Sequence, residues 1–224
     1  MLFEDRRDAG RALAKKLSAY ANDPDSIVLA LPRGGVPVAY EVAKALNLPL
    51  DIFIVRKLGV PGHEEMAMGA IASGGTRVLN REVVSQIGIS REHIEVVADR
   101  ELRELERRER AYRDGSPSPQ IKGRRVILVD DGLATGASMR AAVQALRQLA
   151  PEEIVVAVPV AAPQTCDEFR DIVESIICAV TPEPFYAVGL WYRDFSQTTD
   201  EEVQALLADA RALHPSHEGS TEEG

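Results

Sequence analysis

Five short runs built almost wholly of apolar residues, 27–31, 51–55, 126–129, 154–160 and 176–180, leave few folds open to this chain. A strand with one solvated face alternates apolar and polar side chains, so a run without alternation has both faces covered. Stretches of helical period separate the runs. Residues 5–20, 38–46, 138–149 and 163–173 read as helices, and the capping box Thr199-x-x-Glu202 opens a last one through Leu213. Apolar strands alternating with helices predict an α/β chain whose mostly parallel sheet is flanked by helices. Weaker strand patterns occur at 70–72, 76–79 and 185–188. Ligands of such sheets sit in the crevice at the carboxyl ends of the strands. Three chemically loaded segments, 32–35, 56–68 and 130–138, each follow directly on an apolar run.

Length and charge narrow the function classes. A chain of 224 residues can bury a full core as one large or two small domains. The net charge of −9 argues against non-specific nucleic-acid binding, which needs a basic surface to displace counterions. A small anion is not excluded, because backbone amides and local cations can hold one on an acidic protein. No apolar run approaches the ~20 residues of a membrane span, and the first residues carry no apolar leader, so a cytoplasmic location is expected. Cys166 and Cys178 lie among apolar residues without CxxC spacing and read as reduced core thiols.

Residues 80–119 differ in character. Glu82 to Ile87 reads as a short helix, and Ser90 caps a longer one on which Ile94, Val97, Ala98, Leu102 and Leu105 share a face. Glu104/Arg108, Glu106/Arg110 and Glu109/Arg113 are i,i+4 pairs worth about 0.2–0.5 kcal/mol each. The acids match the arginines, so this is a solvated amphipathic helix rather than a nucleic-acid arm. It is also open to use as a contact between copies in a homodimer. From His214 the chain is polar and rich in Ser, Gly and Glu, which predicts a disordered tail over 214–224.

The most informative stretch is 126–138, Val-Ile-Leu-Val-Asp-Asp-Gly-Leu-Ala-Thr-Gly-Ala-Ser. A buried strand delivers Asp130 and Asp131 to the sheet edge, and a loop of small residues then opens a helix. Small residues let amides approach an anion, and the helix N-terminus adds a favourable dipole. The hydroxyls of Thr135 and Ser138 can donate further hydrogen bonds. Two carboxylates are poor partners for a phosphate, but they suit the vicinal hydroxyls of a sugar.

This stretch resembles the signature of type I phosphoribosyltransferases, a hydrophobic strand followed by two acids, a short loop and Thr-Gly. The resemblance implies an α/β fold with a mostly parallel sheet, a small hood and, here, a helical insertion over about 80–119 within a single domain spanning 1–213. It implies binding of 5-phosphoribosyl 1-pyrophosphate with Mg²⁺ and transfer of the phosphoribosyl group to a nitrogen acceptor with release of pyrophosphate. Asp130 and Asp131 would then hold the ribose hydroxyls and, through water, the metal. The backbone of Ala134, Thr135, Gly136 and Ala137, with the Thr135 and Ser138 side chains, would hold the 5′-phosphate. Arg33, Gly34 and Gly35, after Pro32, resemble the family's pyrophosphate loop. Arg56 and Lys57 resemble the basic pair of orotate-type members. These cations would stabilise the departing pyrophosphate. Residues 58–68, with His63, Glu64 and Glu65, fall where the family has a mobile closing loop, and no further ligand gives that trio metal spacing.

The acceptor stays open. Hypoxanthine–guanine-type members carry an acid before Thr-Gly, and here that position is Ala134, which is closer to adenine-, orotate- or xanthine-type loops. The hood is assignable to the N-terminal helix, to 80–119 or to 182–195, where Phe185, Trp191 and Tyr192 either stack on a base or pack the final helix. A regulatory module that senses phosphoribosyl pyrophosphate or a nucleotide without turnover is the alternative to an enzyme. A metal-dependent phosphatase fits poorly, since its second Asp would stand at Gly132. A dinucleotide-binding domain fits less well still, with no GxGxxG after the first strand.

Overall fold

The computed structural model describes residues 2–214. In chain order its regular elements are α1 (Arg6–Lys16), β1 (Ser26–Ala30), α2 (Gly35–Leu46), β2 (Leu50–Ile52), β3 (Val55–Val60), β4 (His63–Ala72), β5 (Thr76–Leu79), α3 (Arg81–Ile87) and α4 (Arg91–Arg113). There follow β6 (Arg125–Val129), α5 (Ala137–Gln148), β7 (Glu153–Val160), α6 (Pro163–Phe169), β8 (Ser175–Val180) and α7 (Asp200–Leu213). Of the tail expected over 214–224, residues 215–224 lie outside the described residues.

The unalternating runs pair as a five-stranded, all-parallel sheet in the order β2-β1-β6-β7-β8. Successive side chains point to opposite faces. Val28, Ala30, Ile127, Val129, Val155 and Ala157 pack in one cluster with residues of α1, α2, α4 and α7. Ile27, Leu29, Val126, Leu128, Ile154 and Val156 pack in another with α5 and α6. Each fully buried aliphatic side chain stabilises the fold by about 1.5–3 kcal/mol relative to its exposed state, which is why these runs are almost wholly apolar.

From β1 the chain crosses through α2 to β2 on one side, and it returns as β6 on the other side of β1. The order reverses between β1 and β6, so the ligand crevice of an open α/β sheet falls at their carboxyl ends.

A second sheet of three antiparallel strands, β3-β4-β5, corrects three expectations. The strand expected over 51–55 ends at Ile52, and Val55 already begins β3. Arg56 and Lys57 therefore lie inside a strand rather than beyond one. The apolar run was continuous because both sheets bury it. Residues 58–68 form most of a hairpin, closed by Pro61 and Gly62 with Gly62 at φ +78°, the dihedral a type II turn requires. Register shifts on either side of Gly59 break the two-residue period that would have announced it.

Residues 185–188 belong to no strand. The segment follows directly on Pro182 and Pro184, which cannot donate to a ladder, and leads into a 3₁₀ turn, Val188–Trp191. The helix expected over 163–173 stops at Phe169. The two helices expected in 80–119 form: Ser90 accepts the His93 amide, Ile94, Val97, Ala98 and Leu105 are buried against the β3-β4 hairpin cluster of Leu58, Val60 and Met68, and Leu102 is partly buried.

Candidate functional site

Two turns meet at the switch point. Ala30 and Val129 are register partners, so β1 and β6 end at one level, and the Leu31 amide extends the pairing by donating to the Val129 carbonyl at 2.9 Å. The peptide joining Pro32 to Arg33 is cis. The chain then enters α2 through Gly34 and Gly35, which pack directly on the acidic loop. A Cβ at Gly34 would stand 2.2 Å from Asp131 Oδ2, and one at Gly35 would stand 2.8 Å from the Val129 carbonyl oxygen. No side chain fits at either place.

Across the crevice, Asp130 and Asp131 leave β6 side by side. The Asp131 amide donates to Asp130 Oδ1 at 2.8 Å. Burial and the neighbouring Asp131 charge push the Asp130 carboxyl well above the ordinary carboxylate range. Burial also raises Asp131, opposed by the Arg6 guanidinium, whose Nε donates to Oδ2 at 2.9 Å. This pair of carboxyls is costly to ionise without a partner.

The loop then exposes what an anion would need. Ala134, Thr135, Ala137 and Ser138 are exposed, while Gly136 between them is buried. Gly136 takes φ +74°, and a Cβ there would meet Phe169 at 2.7 Å, so both backbone and packing demand glycine. From α6 the Thr165 hydroxyl holds the Ala134 carbonyl at 2.6 Å. Gly136 is the N-cap of α5, and among the described residues no side chain caps that helix. Its first-turn amides face outward with the dipole behind them.

The expected cations divide. Arg33 Nη1 lies 3.7 Å from Asp200 at the start of α7, and Asp200 also accepts the Tyr112 hydroxyl at 2.6 Å. Arg56 is held by Glu101 of α4 at 2.6 Å. Lys57, the next residue of β3, points to the other face and is exposed. Thus 32–35 and 130–138 touch, while Arg56 and Lys57 stand on opposite faces of a strand and one of them is already paired. His63 is exposed at the hairpin turn, and no group of three or more His, Cys, Asp or Glu side chains able to hold a metal occurs among the described residues.

Three supports had no local signal in the sequence. Tyr192 is buried and donates its hydroxyl to the Asp131 carbonyl. Val188 packs where a Cβ on Gly132 would be, 2.4 Å away. Arg6, in α1, grips Asp131 from the N-terminal segment. That segment pairs with 191–194, Phe3 donating to Trp191 and Asp194 to Glu4 at 2.9 Å each. Two of the three segments to which a hood was assignable, the N-terminal one and 182–195, thus pack together, and Tyr192 is buried between them against Phe3. The exposed aromatics of this region are Tyr186 and Phe195. An apolar cavity of about 260 Å³ lined by Leu29, Ile52, Phe53, Ile121 and Leu149 shares no lining residue with either turn.

A switch-point crevice between a glycine turn and an uncapped helix start has the geometry that suits an anion in an open α/β fold. The family model of the phosphoribosyl transferase domain matches residues 3–183, and the chain belongs to that family. Among curated proteins it is 46% identical over 206 residues to "Putative phosphoribosyl transferase Rv0571c" of Mycobacterium tuberculosis strain H37Rv, a match covering 92% of this chain and 46% of that protein. The counterpart in strain CDC 1551, MT0597, matches equally. The chain thus spans less than half the length of these relatives. The solved structure of TT1426 from Thermus thermophilus superposes with a TM-score of 0.83 at 42% identity, covering 93% of this chain and 99% of that one.

Proposed function

We propose that this chain binds 5-phosphoribosyl 1-pyrophosphate between its two turns and transfers the phosphoribosyl group to a nitrogen acceptor, releasing pyrophosphate. The observation that carries the reading is the pair of partly buried, adjacent carboxylates set between an uncapped helix start and the Gly34–Gly35 turn. Hydroxyl donors from a ribose supply what the paired acids lack. The amides and hydroxyls of 134–138 take the 5′-phosphate, and the diphosphate lies toward the 32–35 turn.

Adjacent carboxylates are hard oxygen donors, and with no third ligand among the described residues they suit a Mg²⁺ ion that keeps its waters and shares substrate oxygens. Asp130 and Asp131 would hold it through water, and when bound it would neutralise charge on the diphosphate. The ribosyl–pyrophosphate bond then breaks through an oxocarbenium-like state, and the protein acts by fixing the ring and receiving the departing anion. For Arg33 and Arg56 to receive it they must exchange Asp200 and Glu101 for phosphate oxygens.

That requirement favours a second reading, a sensor that binds the ligand without turnover, in which the two ion pairs stay closed. Pyrophosphate release over a panel of nitrogen heterocycles separates the two. Turnover with any acceptor, abolished in Asp130→Asn/Asp131→Asn, supports the transferase; saturable binding with no release across the panel supports the sensor.

A further inference from the structure

We propose that Arg6 is a positioning residue: it clamps Asp131 between the turn after β1 and the hood, so that the carboxylate meets the ribose in one orientation. The inference rests on the function proposed above and adds a residue to its machinery.

The guanidinium is held by three separate contacts. Nε donates to Asp131 Oδ2 at 2.9 Å, Nη1 donates to the Ser196 carbonyl at 2.6 Å, and the group lies 4.0 Å from the centroid of the Phe195 ring. A planar fork tied at two nitrogens and stacked on a ring has one orientation available, which an ammonium would not have. Both side chains of the pair are mostly covered, at 12% and 17% exposure for Arg6 and Asp131. The pair is therefore not one of the surface contacts that solvent reduces to little.

The place of the clamp gives it a task. Arg6 Nε would be 3.3 Å from a Cβ on Gly34, so the guanidinium stands at the junction of both turns. Its bond occupies Oδ2 of Asp131, and Oδ1 is the oxygen left for a sugar hydroxyl. Behind the acid, Tyr192 fixes the Asp131 carbonyl while Val188 closes on Gly132. Backbone and carboxylate are thus anchored by the same hood. The phosphate-holding loop 134–138 is supported from elsewhere, by Thr165 and Phe169 of α6. Loss of Arg6 should disturb ribose recognition and spare phosphate recognition.

The test measures the affinity of ribose 5-phosphate and of inorganic phosphate for the wild-type chain, Arg6→Gln and Arg6→Lys. The clamp requires Arg6→Gln to weaken ribose 5-phosphate by roughly 10-fold while inorganic phosphate, which reports the 134–138 loop, changes less than about 2-fold, with Arg6→Lys between. On an Asp131→Asn background Arg6→Gln should add nothing. Equal loss of both probes, or loss of neither, overturns the proposal. If the wild-type chain binds neither probe, the proposed function falls, and the ligand-free crystal structure of Arg6→Gln decides the clamp. An Asp131 carboxylate turned out of its place supports it, and one unmoved overturns it.

Discussion

At the scale of single residues, Asp130 and Asp131 carry a stability cost that the ligand is expected to relieve. Their carboxyls titrate above the ordinary value of 3.8, so the folded chain holds these protons more tightly than the unfolded one. Stability present below that value is lost as pH rises through the raised values. Asp130→Asn should therefore melt above wild type at pH 7, by about 2–4 °C per kcal/mol recovered, with the gap closing toward pH 4. A gap that does not change with pH would contradict the assignment. Gly136→Ala acts oppositely: with φ at +74° and Phe169 at 2.7 Å, it should cost about 1–3 kcal/mol in denaturant unfolding. What could be read in the sequence divides at this scale too. The strand, acids, small loop and helix of 126–138 are consecutive, so their chemistry shows locally. Arg6 and Tyr192 reach Asp131 from 125 and 61 residues away and look like an ordinary helix start and an ordinary aromatic.

Among the elements, α4 touches the site through charge and is pinned through a buried arginine. Arg113, only 6% exposed in its side chain, bonds Asp51, Glu109, Ser118 and the Ile52 carbonyl, fastening the end of α4 to the edge strand β2. Arg113→Ala strands Asp51, whose carboxyl burial already raises, and should cost about 3–5 kcal/mol by chemical denaturation. Glu101→Gln should instead free Arg56 and tighten pyrophosphate binding severalfold by calorimetry; weaker binding would show that Glu101 aims Arg56 rather than withholding it. The amphipathic period of α4 was plain because a helix face repeats regularly. The β3-β4 hairpin was hidden because its register shifts fall at Gly59 and its turn uses proline and glycine, which read as loop.

Over the whole molecule, unalternating apolar runs identify a parallel sheet buried on both faces, and strand order then decides where chemistry can sit. That order, β2-β1-β6-β7-β8, is not written in any one segment. It follows from which strands pair, and it turns two turns about 100 residues apart in the chain into the walls of one crevice. Among the described residues no helix is long and apolar enough to cross a membrane.

The most direct test is calorimetric titration of the chain with 5-phosphoribosyl 1-pyrophosphate and Mg²⁺, beside the Asp130→Asn/Asp131→Asn variant. The account predicts saturable one-site binding for the wild type and none for the variant at matched fold. Absence of binding by the folded wild type, or equal binding by both proteins, would contradict it.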